Sequence, residues 1–147
     1  KRTLYNAKAN HTNEKLKKWI NEYLCSDAHN KKFSDGLKLF DRYFLGPVKM
    51  PLSFFKRCCG PEDGLKWQIP AEPFENKVLS LMDVIKNKTD LPHLIVSYDN
   101  GEFELNDGNH RLEAYNRLGI NEYFVIFWIT EKDDYADFME KYKKYLE

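Results

Sequence analysis

Between His11 and Leu24 the apolar residues Leu16, Trp19, Ile20, Tyr23 and Leu24 recur at intervals of three and four, the spacing of a single stripe on an amphipathic helix. A second stripe, Leu37, Leu39, Phe40, Tyr43 and Phe44, predicts a helix from Ser34 to Leu45 that stops at Gly46-Pro47. The two together predict a helical hairpin at the front of the chain. From Gly46 to Pro73 the pattern is broken by Pro47, Pro51, Gly60-Pro61, Gly64, Pro70 and Pro73, which predicts irregular chain with at most short helical turns. Phe54 and Trp67 are the expected anchors of that loop on the core.

Beyond Pro73 helix and strand patterns alternate. Val78, Leu81, Met82 and Ile85 make a helical stripe, Leu91-Pro92 ends it, and Leu94 to Tyr98 is a short apolar run of strand length. Asp99-Asn100-Gly101 then signals a tight turn into Glu102 to Leu105, so the two runs predict a hairpin. A helix is expected from His110 to Leu118, ended by Gly119. The aromatic and β-branched residues of Tyr123 to Ile129 predict a strand, and Thr130, with Asp133 three residues on, predicts the start of a closing helix. The sum is an α+β chain: a helical extension and irregular loop over residues 1–69, and a small mixed sheet with flanking helices over residues 70–147.

Composition narrows the class. In 147 residues, 42% hydrophobic and 15% aromatic, there is apolar surface for one compact core. No run approaches the roughly 18 apolar residues of a membrane helix, so no membrane role and a cytoplasmic setting are expected. Three cysteines, Cys25, Cys58 and Cys59, suit neither a disulfide framework nor a zinc spacing. The zero net charge hides an asymmetry: residues 1–60 carry 13 basic and 5 acidic side chains, net +8, and residues 61–147 carry net −8. Either the two halves attract one another, or the basic half meets an acidic DNA or protein partner.

The chemistry concentrates between Phe103 and Ala114, where a strand runs through a glycine turn directly into a helix. The first turn of a helix has unsatisfied N–H groups and a partial positive charge, which suits a phosphate. Gly108 and Asn109 would present those amides, Arg111 a fork of donors and His110 a titratable one. Asp107 would hold a metal ion or orient a hydroxyl. The plainer reading is that Asp107 or Asn109 caps the helix and Arg111 pairs with a neighbouring glutamate.

The run Asp107-Gly108-Asn109-His110-Arg111, continued by Ala114 and Gly119, resembles the D-G-x-H-R-x-x-A-x-x-x-x-G signature of the ParB/sulfiredoxin superfamily. Upstream, Lys77 to Ile85 and Leu91-Pro92-His93-Leu94-Ile95-Val96 resemble the helix and proline-led strand that precede it there. The resemblance covers roughly residues 70–130. It implies that the turn, with His110 and Arg111, binds the phosphates of ATP or another nucleotide, with or without Mg²⁺, and that Lys77 and Ser80 on the preceding helix contact the nucleotide. A threonine usual on that helix is Val84 here. Asn109 stands where sulfiredoxin has its catalytic cysteine, so reduction of a sulfinic acid has no nucleophile and that activity is excluded.

Three functions remain open on this reading. The first is an enzyme of phosphoryl transfer or nucleotide hydrolysis, in which Asp107, His110 and Glu75 are the candidate catalytic groups; Glu72 is the other carboxylate that the kinase-like branch of the family implies as a base. The second is a nucleotide-dependent module that contacts DNA or protein through the basic front half. The third is a ParB-like nuclease.

Overall fold

The computed structural model describes residues 13–26, 28, 30–38 and 41–146. Within them lie α1 (Asn13–Cys25), α2 (Lys31–Leu37), β1 (Tyr43–Pro51), a 3₁₀ turn (Leu52–Phe54), β2 (Cys59–Gly60), β3 (Trp67–Gln68) and α3 (Ala71–Lys86). There follow β4 (Leu94–Asp99), β5 (Glu102–Asp107), α4 (Asn109–Arg117), β6 (Glu122–Ile129), α5 (Lys132–Tyr142) and a closing 3₁₀ turn (Lys143–Leu146). The chain is therefore a mixed α+β protein. A four-stranded sheet in the order β1-β6-β4-β5 is its centre, with β4 parallel to β6 and the other neighbours antiparallel; β2 and β3 form a separate two-stranded parallel pair.

The two-residue period of the strands divides the core. Leu94, Val96 and Tyr98 of β4 and Val125, Phe127 and Ile129 of β6 point to one face, where Leu112 and Tyr115 of α4, Phe138 of α5 and Phe55 cover them. Ile95 and Ile126 point to the other, where Leu16, Trp19, Ile20, Tyr23 and Leu24 of α1 and Leu37 of α2 lie over them. The stripe on α1 is thus the stripe the sequence predicts. Each such large side chain, fully buried, contributes about 1.5–3 kcal/mol of transfer free energy, enough to fix α1 on the sheet. α3 lies outside α4, with Phe74 and Val78 against Ala114. The hairpin turn is also as predicted: Asn100 and Gly101 both have positive φ, 53° and 77°, the pair a type I′ turn needs.

The front half departs from expectation. The second helix is short, Lys31–Leu37, and is capped at its start by Asn30, whose side chain accepts from the Phe33 N–H at 3.2 Å. Tyr43, Phe44 and Leu45 belong to a nine-residue strand along β6, so residues 1–69 supply an edge of the main sheet as well as helices and loop. Gly46-Pro47 does not end a helix; it shifts the register of that strand between Leu45 and Val48. Gly46 has φ +114°, and a Cβ there would lie 2.7 Å from the Val125 carbonyl, so only glycine fits. Of the predicted helical positions, His11, Thr12, Leu39 and Phe40 lie outside the described residues.

Two smaller expectations also fail. Trp67 is 51% exposed, with Lys66 over its ring, and is not packed on the core; Phe54, though more than a third exposed, does anchor its segment, against Phe55, Phe103, Tyr142 and Tyr145. The last helix starts at Lys132 rather than Thr130 and has no side-chain cap; the Thr130 hydroxyl instead accepts from Arg42 at 2.5 Å.

Candidate functional site

The candidate turn sits where β5 ends at the open end of the sheet. Gly108 takes φ 110°, in the left-handed region, and places Asn109 at once in the first turn of α4. An added Cβ on Gly108 would come within 2.3 Å of the Leu94 side chain, so the bend requires glycine for space as well as for φ. Gly108, as N-cap, has no side chain to satisfy the first-turn amides of α4, and among the described residues no other side chain caps them. The turn borders a pocket of about 370 Å³ lined by Tyr23, Ala28, Lys77, Leu81, Leu91, Pro92, Asp107, Gly108, His110 and Arg111. That volume lies at the small end of ligand sites.

Within this pocket the polar groups divide into those already engaged and those that face the space. Arg111 is engaged. Its side chain is 9% exposed, and its guanidinium donates to the Pro92 carbonyl at 2.5 Å, the His93 carbonyl at 3.3 Å, the Tyr23 hydroxyl at 3.3 Å and Asp107 Oδ2 at 2.6 Å. Burial disfavours the guanidinium charge, but Asp107 and the other partners outweigh it and hold the pKa above its ordinary value. Tyr23 donates to the same Asp107 Oδ2 at 2.9 Å, and burial is the main cause that pushes its hydroxyl pKa up. Asp107, Arg111 and Tyr23 therefore form a closed network joining α1, the residues before β4 and the turn. The sequence reading gave Arg111 to a phosphate and Asp107 to a metal or hydroxyl; the structure gives both to the scaffold.

The Asn109 side chain is engaged in the same way. Its Oδ1 accepts from the N–H groups of Cys58 at 2.7 Å and Cys59 at 3.3 Å, and its Nδ2 donates to the Leu105 carbonyl at 3.2 Å. The residue that replaces a thiol in the family pattern here pins the loop before β2 to the turn, and its side chain does not line the pocket.

His110 and Lys77 are the groups that remain. The His110 ring lies 4.9 Å from Phe74, and partial burial, reinforced by the charges of Lys77, Arg57 and Arg111, lowers its pKa below the ordinary histidine value. The neutral imidazole is the favoured form. Lys77, exposed on α3, reaches the same pocket, and no carboxylate among the described residues lies in ion-pair range of it. Leu81, one turn further on, joins it on that face; Ser80, expected there from the family pattern, is exposed and outside the lining.

The carboxylates proposed as bases are elsewhere. Glu75 takes a two-pronged ion pair from Arg117, at 2.7 and 2.8 Å, and that contact lowers its pKa, the wrong direction for a base near neutrality. Arg117 also holds Glu113, which pairs with Arg57, which pairs with Glu62, so Glu75 ends a chain of ion pairs along α3, α4 and the loop. Glu72 is exposed in the first turn of α3. Among the described residues no three His, Cys, Asp or Glu side chains converge as metal ligands. The described residues also contain no helix long and apolar enough to cross a membrane.

Sequence reasoning missed Tyr23. Its place in the α1 stripe reads as core, and only the fold brings its hydroxyl to Asp107, 84 residues away. No protein-family model matches the chain, and no curated protein or solved structure matches it either.

Proposed function

We propose that the chain is a nucleotide-binding protein of ParB/sulfiredoxin type whose phosphate seat is the first turn of α4. The observation that carries this reading is that Gly108 and His110 at the uncapped start of α4 line one pocket together with Lys77. Helix-start amides and a lysine are complementary to a phosphate group, while Leu81, Leu91 and Pro92 offer apolar surface to the rest of the ligand. Asp107, Arg111, Tyr23 and Asn109 serve binding indirectly, by fixing the backbone that presents the amides.

Binding is better supported than chemistry, because the acidic groups once assigned to catalysis are held by arginines. A second reading, phosphoryl transfer or hydrolysis, rests on His110, whose lowered pKa favours the neutral form that accepts a proton. Mg²⁺ would arrive with the nucleotide phosphates, since Asp107 Oδ2 is shared between Tyr23 and Arg111.

A thermal-shift series with ATP, ADP, CTP and inorganic phosphate, each with and without Mg²⁺, tests the binding. A ligand at about 100 times its Kd adds about 2.7 kcal/mol of stability, several degrees in Tm for a chain of this size. Stabilisation by at least one phosphate compound, lost in Lys77→Ala, is the expected result. No shift with any of them overturns the proposal. Turnover of the stabilising nucleotide, abolished in His110→Ala with binding retained, would favour the second reading.

A further inference from the structure

The sheet face covered by α1 and α2 carries Ile95 and Ile126 beneath the helices and, two residues further along the same strands, Ser97 and Trp128. Over Ser97 and Trp128 lies a groove of about 550 Å³, separate from the pocket at the α4 turn and sharing no lining residue with it. Its charged lining is Arg42, Lys66, Asp99, Glu102, Glu104 and Glu131. Three of these are engaged. Arg42 lies over the Trp128 ring at 4.6 Å and donates to Thr130 and to the carbonyls of Leu37 and Gly36, and Lys66 pairs with Glu104 at 3.0 Å.

Asp99, Glu102 and Glu131 meet no basic side chain in ion-pair range among the described residues. Negative charge therefore accumulates at this end of the groove, and burial together with the neighbouring Asp134, Glu102 and Glu104 raises the pKa of Asp99. An independent observation lies at the floor. Ser97 is 8% exposed, its hydroxyl has no hydrogen-bond partner among the described residues, and its oxygen is not among the sealed polar atoms. A side chain so buried normally has a partner. Here the residue lines the groove.

We propose that this groove binds a small organic cation, an alkylammonium or guanidinium group, with its charge among Asp99, Glu102 and Glu131 and a polar atom on the Ser97 hydroxyl. Trp128 supplies the flat wall along which the ligand's carbon chain lies. Arg42 illustrates the chemistry within the chain itself, since its guanidinium rests on the same indole. The carboxylates do not converge as metal ligands, which favours an organic cation over a metal ion. Rim charges in water interact weakly, so the affinity for the isolated group is roughly millimolar. The inference is independent of the phosphate site.

The test is a titration of the whole chain with agmatine, followed by the indole N–H resonance of Trp128 and the amide of Ser97, beside uncharged n-butylurea. Saturable shifts with agmatine, absent with n-butylurea and several-fold weaker in Glu102→Gln and in Ser97→Ala, are expected. Glu102 is exposed, so its variant reports on binding even where a change at Ser97 disturbs folding. Tighter binding of the tripeptide Gly-Arg-Gly than of agmatine would identify a basic peptide side chain as the source of the cation, and the reverse a free amine; both support the proposal. It is overturned if agmatine leaves both resonances in place, if n-butylurea binds equally well, if both variants bind like the unmodified chain, or if Mg²⁺ or Ca²⁺ moves these resonances where agmatine does not.

Discussion

Replacing Asp107 by alanine separates a scaffolding carboxylate from a catalytic one. Among the described residues Asp107 is the sole carboxylate paired with Arg111, whose side chain is 9% exposed, and the same oxygen accepts from Tyr23. Removing one partner of a buried ion pair leaves an uncompensated charge and costs about 3–5 kcal/mol. Asp107 itself keeps 20% of its side-chain surface, so water relieves part of this and the lower end, about 3 kcal/mol, is expected. Against a total stability of about 5–15 kcal/mol, such a loss is unmistakable in a urea denaturation midpoint. The double variant Asp107→Ala, Arg111→Met removes charge and counter-charge together. It should recover part of the loss, with a coupling of about 0.5–3 kcal/mol between the two positions. A loss below about 1 kcal/mol for Asp107→Ala, or full additivity in the cycle, would show that the carboxylate does not neutralise Arg111 and that the network is not the scaffold of the turn.

Gly108→Ala combines a strained positive φ with a Cβ that meets Leu94, and should lower stability by about 1–3 kcal/mol or more; a melting temperature equal to that of the unmodified chain would contradict this. Asn109→Ala leaves the Cys58 and Cys59 amides and the Leu105 carbonyl without their partner, so hydrogen exchange at Cys58 should accelerate with a stability loss of about 1–3 kcal/mol; unchanged exchange would mean that the loop is held otherwise. His110 should titrate below the ordinary value of about 6.5 by NMR, since burial and nearby cations favour its neutral form. Because the folded pKa is the lowered one, its stabilising contribution is complete above about 6.5 and is lost as pH falls through the folded value, and phosphate in the pocket should raise that value. A titration midpoint above 6.5 without ligand would contradict the assignment.

The sheet's last three strands, their hairpin and α4 were legible because each signal was local. Asn100-Gly101 dictates its own turn, and the runs Leu94–Tyr98 and Tyr123–Ile129 need only short-range patterning. β1 was hidden because Gly46 and Pro47 interrupt its two-residue period, and because Leu37, Tyr43 and Phe44 fall at helical spacing on either side of a helix end. At the site, the sequence located the bend and the helix start but not the roles of the side chains. Whether an arginine faces a ligand or a carbonyl is decided by burial: Arg111 and Asn109 turn inward to groups 18 and about 50 residues away, contacts that no local pattern encodes. Lys77 reaches the pocket because one helical face carries both it and Leu81 there.

The most direct measurement is a ¹⁵N–¹H titration of the chain with ATP and with inorganic phosphate, following the amides of Gly108, Asn109, His110 and Arg111. If the first turn of α4 seats a phosphate, these resonances move together and saturably, and Lys77→Ala weakens the effect while leaving the unliganded spectrum folded. If they stay in place with every phosphate compound, or if the shifts fall elsewhere on the molecule, the turn is a structural bend and the phosphate seat does not exist.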